Sequence, residues 1–102
     1  MTKRNHALEN KHPGQILKEY YLDEMGISAY RLAKAIGVQQ TRISQIIHGK
    51  RSITVDTALK LSKFFSLSDR FWINLQADYD VRKYREDHRQ ELDAVESYSI
   101  NA

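Results

Sequence analysis

The sequence predicts an all-α fold, on three observations. Apolar residues recur at helical spacing in several short stretches. Gly26, Gly37 and Gly49 stand just past the ends of such stretches, and no alternating apolar–polar run long enough for a strand interrupts them. With 102 residues, 41% of them hydrophobic and 28% charged, the chain suffices for one domain with a modest core and is too short for two.

The elements follow in order. Residues 1–11 are polar and aperiodic and read as a flexible N-terminal arm. Pro13 suits the first position of a helix, where its missing N–H costs nothing. Ile16, Leu17, Tyr20, Tyr21 and Met25 form a double apolar stripe along that helix, which Gly26 ends. Ser28 caps a second helix running to about Ile36, and a third runs from Gln40 to Ile47 or His48. Leu32 and Ile36 on one face Ile43, Ile46 and Ile47 on the other. Small Ala33 permits close approach, and Gly37 supplies a turn that needs positive φ.

Thr54 is expected to cap a fourth helix, with Asp56 favourably placed in its first turn and Ala58, Leu61 and Phe65 on its buried face. Ser68 and Asp69 open a fifth helix carrying Phe71, Trp72, Ile73, Leu75, Tyr79 and Val81. The expected organisation is thus an arm (1–11), a helix-turn-helix domain (12–81, with the helix-turn-helix about 28–48), and a polar C-terminal helical extension or tail (82–102).

Charge is segregated along this plan. Residues 28–63 carry Arg31, Lys34, Arg42, Lys50, Arg51, Lys60 and Lys63 against Asp56 alone, whereas residues 64–102 carry eight acidic and five basic side chains. Positive potential therefore gathers on the helix-turn-helix, which favours a polyanion. The chain has no cysteine, which excludes disulfides, thiolate metal sites and cysteine nucleophiles, and a reducing cytoplasm is the expected setting. No apolar run approaches membrane-spanning length. His6, His12, His48 and His88 are scattered without ligand spacing, and no phosphate loop or nucleophile motif occurs. Neither enzyme chemistry nor a metal or other cofactor is expected.

The outward side of the third helix carries the functional reading. Gln40, Thr41, Arg42 and Gln45 are candidate base contacts: an amide matches adenine N6 and N7, a threonine methyl meets thymine, and a guanidinium reaches guanine or a phosphate. Lys34, Ser44, Lys50 and Arg51 are candidate phosphate contacts, which orient the protein and supply salt-dependent affinity. Phe71, Trp72, Leu75 and Tyr79 are the candidate dimer interface, because apolar side chains there cover more than one face of the helix.

Several segments resemble the HigA/VapI type of bacterial antitoxin, within the broad Xre (Cro/C1-repressor) helix-turn-helix class. They are His12-Pro13-Gly14-Gln15-Ile16-Leu17, residues 30–38, Arg42-Ile43-Ser44-Gln45-Ile46-Ile47-His48-Gly49-Lys50-Arg51, residues 54–61 and Phe71-Trp72-Ile73-Asn74-Leu75-Gln76 through Asp80. The last block is the more specific part. The resemblance implies a lambda-repressor-like five-helix domain acting as a homodimer. It also implies binding to operator DNA, neutralisation of a HigB-like toxin and repression of the protein's own operon. A stand-alone repressor of the same fold, or a protein-binding module that never meets DNA, remain the alternatives.

Overall fold

The computed structural model describes residues 11–98. They form six helices and no strand, so the all-α expectation holds. Helix α1 is built from three continuous segments, Pro13–Ile16, Leu17–Leu22 and Asp23–Met25. It is followed by α2 (Ala29–Ile36), α3 (Gln40–Ile47), α4 (Val55–Phe65), α5 (Phe71–Asp87) and α6 (Arg89–Ala94). Apart from Lys11, the arm expected over residues 1–11 lies outside the described residues, as do residues 99–102. None of the described helices is long and apolar enough to cross a membrane.

Local chemistry explains where the helices begin and end. His12 occupies the N-cap of α1, its Nδ1 accepting the Gly14 N–H at 2.8 Å, with Pro13 in the first turn. Ser28 caps α2 by accepting the Arg31 N–H at 3.1 Å. Thr54 stands at the N-cap of α4 as expected, but its hydroxyl makes no capping bond. The turn after α2 closes with Val38 N–H on the Ala33 carbonyl at 3.0 Å, around Gly37 at φ 75°. The same closure after α4 uses Ser66 at φ 58°, the one non-glycine residue with positive φ among those described.

One departure from simple helical spacing shapes the core. Leu17–Leu22 is a π-helical segment, closed by the Asp23 N–H on the Lys18 carbonyl five residues back. The extra residue in that turn advances the inward side of the helix by one position. Leu22 is buried beneath Leu17, while Tyr20 and Met25, expected on the apolar stripe, are about half exposed. Helix α5 starts at Phe71 behind Arg70 rather than at Ser68, and it extends past Val81 to Asp87, into the segment expected as a helical extension or tail.

Leu17, Leu22, Leu32, Ile43, Ile46, Ala58, Leu61 and Trp72 form a single buried core. Trp72 lies at its aromatic end, with ring centroids of Phe71 at 5.1 Å, Tyr21 at 5.2 Å and Phe65 at 6.3 Å. Full burial of one such aliphatic side chain stabilises by about 1.5–3 kcal/mol, so loss of any one is felt across the domain.

Helices α1 and α3 approach each other closely at Gly14. A Cβ built on Gly14 would overlap the carbonyl oxygen of Ile46, and that oxygen also accepts the Gly49 N–H at 3.0 Å. Only a residue without a side chain allows the start of α1 to rest on the last turn of α3. Gly14→Ala is expected to destabilise the protein by about 3 kcal/mol, because backbone must move to admit one methyl group. Urea denaturation followed by circular dichroism measures it; an unchanged midpoint would show that the seam is looser than described.

Candidate nucleic-acid interface

Helix α3 is held by its inner side and offered by its outer side. Ile43 and Ile46 are fully buried, Ile47 is partly so, and Gln40, Thr41 and Gln45 are exposed. Gln39 takes the N-cap position with extended backbone and no side-chain cap bond, and it too is exposed. Periodicity overlooked Gln39 because it precedes the first helical residue. Neither Gln39 nor Gln40 makes a side-chain hydrogen bond to another described residue.

Arg42 is turned towards α4. Its guanidinium donates to Asp56 Oδ2 at 2.7 Å and to the buried Thr57 Oγ1 at 3.2 Å. Lys60 Nζ reaches the other Asp56 oxygen at 3.0 Å. The hydrogen bonds from Lys60 and then Arg42 hold the Asp56 carboxyl below its ordinary pKa. Arg42 therefore braces α3 against α4.

Trp72, expected at a dimer interface, has no exposed surface within the protomer. Phe71 and Leu75 are partly exposed beside a shallow apolar depression that Ile16, Tyr20 and Tyr21 complete. Tyr79 is also partly exposed, with its ring edge-on to His12 at 5.0 Å.

The expected phosphate contacts surround α3. Lys34 stays exposed on α2, with Nζ 3.4 Å from the Tyr30 hydroxyl and 5.6 Å from its ring centroid. Ser44 is partly buried; its carbonyl accepts the His48 N–H at 3.1 Å and lies 2.7 Å from His48 Nδ1. Lys50 is exposed, and Arg51 Nη1 donates to Gln45 Oε1 at 3.2 Å.

Two side chains that sequence reading missed hold this surface in place. Gln76 is buried; its Oε1 accepts the Ile53 N–H at 2.8 Å, and its Nε2 donates to Asp80 Oδ1 at 2.9 Å. This ties the loop bearing Lys50 and Arg51 to α5. His12 lies beside Gly49 at the turn after α3, and burial lowers its pKa against the opposing pull of Asp80. Accepting the Gly14 N–H requires Nδ1 to be unprotonated. Among the described residues no cluster of His, Asp and Glu is suited to holding a metal ion.

Comparison with known proteins adds independent support. The family model described as a helix-turn-helix, HTH_3, matches residues 17–72. Virulence-associated protein I of Dichelobacter nodosus is 42% identical over 91 residues, covering 89% of this chain and 83% of that protein. Antitoxin HigA-1 of Vibrio cholerae is 32% identical over 88 residues, covering 86% of this chain and 83% of that protein. The solved structure of the Pseudomonas aeruginosa antitoxin HigA with the higBA promoter superposes with a TM-score of 0.83 at 31% identity. It covers 88% of this chain and 99% of that one.

Two outcomes follow from the supporting side chains. Gln76→Leu leaves the Ile53 N–H buried without an acceptor and is expected to cost about 1–3 kcal/mol of stability in urea denaturation. A cost near zero would mean the loop does not depend on that bond. The lowered His12 pKa means that the unfolded chain binds the proton first. Its contribution is fully present above an unfolded-state pKa of about 6.5 and is lost as the pH falls through the lower folded value. Melting between pH 7.5 and pH 5 should show a steeper loss for wild type than for His12→Asn, which keeps a capping acceptor that does not titrate. Equal slopes would remove His12 as the source.

Proposed function

Because the chain belongs to the HTH_3 helix-turn-helix family, among proteins that include HigA antitoxins and VapI-like virulence-associated proteins, we propose that it is a sequence-specific DNA-binding antitoxin. It binds its own operator as a homodimer, represses the operon and neutralises a HigB-like toxin in the cytoplasm. The observation that carries this reading is the outer face of α3: exposed amides of Gln39, Gln40 and Gln45 beside Thr41, flanked by exposed Lys34, Lys50 and Arg51. Amides in this setting supply the paired donor and acceptor that a base edge demands, and the cations supply the charge that phosphates demand.

In the dimer each α3 enters one major groove, with half-site centres about 34–36 Å apart or a multiple of that. Phe71, Leu75 and Tyr79, partly exposed on α5 and next to the depression shared with α1, supply the protomer contact. Base reading falls to Gln40, Thr41 and Gln45, joined by Gln39. Arg42 keeps the helix aligned through Asp56.

Binding to the duplex upstream of its own gene tests the reading. If the dimer neutralises about six to eight phosphates, log K falls with log salt at a slope of roughly −5 to −7. Gln40→Ala is expected to cost about 1–3 kcal/mol on the preferred operator and little on random duplex. An affinity indifferent to salt, or equal losses on both duplexes, would contradict the assignment.

A further inference from the structure

Gln45 and Arg51 are joined in the structure, Arg51 Nη1 donating to Gln45 Oε1 at 3.2 Å. Building on the DNA-binding reading above, we infer that the two act as one donor unit that selects guanine. In this role Arg51 is a specificity-determining residue as well as one of the cations flanking α3.

The backbone on either side of Arg51 is fixed. At the end of α3, the Lys50 N–H bonds to the carbonyl of Gln45 itself at 2.8 Å, around Gly49 at φ 73°. That closure folds the chain back over the last turn of the helix and brings Arg51 to the Gln45 side chain. Beyond it, the Ile53 N–H is held at 2.8 Å by the buried Gln76 amide. Arg51 thus sits between two pinned residues.

The chemistry of the pair then sets what it selects. A guanidinium offers only donors, so Gln45 must turn its carbonyl towards Arg51 and its amino group away. Adenine requires an acceptor for its N6 amino group as well as a donor for N7. An N6 proton arriving at the remaining lone pair of Oε1 would lie beside the guanidinium, donor against donor. Guanine presents two acceptors, N7 and O6, one for Gln45 Nε2 and one for a further Arg51 N–H. Gln40 makes no such bond to a described residue, and its amide matches adenine N6 and N7. Two glutamines on one helix face are thereby directed to different bases.

The test uses the full chain and permutes every base pair of one operator half-site. Wild type should lose about tenfold in affinity when one guanine is changed to adenine. Arg51→Met and Gln45→Ala should each abolish that preference at the same base pair, the double variant should add nothing further, and preferences elsewhere should remain. The pairing is overturned if Arg51→Met weakens all duplexes by one common factor while the guanine preference survives. It is equally overturned if the base pair silenced by Gln45→Ala is one where wild type prefers adenine. A wild-type protein that binds no duplex refutes the underlying DNA-binding reading instead, and that result is distinct from either.

Discussion

The arrangement depends on the absence of one side chain. Gly14 lets the beginning of α1 lie directly on the carbonyl of Ile46, in the last turn of α3, where any Cβ would collide with backbone. Hydrophobic burial of Ile43 and Ile46 supplies most of the attraction that keeps α3 on the body, but burial is not directional. The glycine seam supplies the direction. His12 reinforces it by capping α1 on one side and lying against the turn at Gly49 on the other. The proposed reading surface is therefore positioned by contacts on the opposite face of α3.

Polar side chains around α3 divide by whether their bonds are already committed. Arg42 is spent on Asp56 and Thr57, and Gln76 is spent on the Ile53 N–H and Asp80. Gln45 has its carbonyl engaged and its amino group open. Gln39, Gln40 and Thr41 stand exposed in the first turn. Committed groups fix the position of the helix, and uncommitted ones are available to a duplex. A charged residue near a recognition helix is thus no guide to base contact until its partners are known. Asp56 illustrates this: a single carboxylate takes one arginine and one lysine out of the cationic surface.

Much of the fold was legible in the sequence, and the rest has identifiable physical reasons for being hidden. The stripes at Leu32, Ile43, Ile46, Ala58 and Leu61 were plain because each is apolar, helical in spacing and buried. The π-helical turn defeated the same method at Leu22, since an inserted residue changes the period without changing composition. Gln76 escaped because a buried amide occupies an inward position that apolar periodicity does not look for. Gly14 looked like an ordinary residue at a helix start, and only the opposing backbone gives it meaning. Trp72 and Arg42 share a feature that sequence alone does not show. Residue type suggests a partner, but burial and pairing within the protomer had already used the side chain. The helix-turn-helix itself was readable because spacing, small residues and charge agree there across every level.

The central claim is that the outer amide face of α3 meets duplex DNA while the inner contacts stay closed. Titrating an operator duplex into isotopically labelled protein, and following glutamine side-chain amide resonances, addresses this directly. The Gln40 and Gln45 amides should shift on binding while the buried Gln76 amide stays in place. Binding that leaves Gln40 and Gln45 unmoved, or that displaces Gln76, would contradict the account.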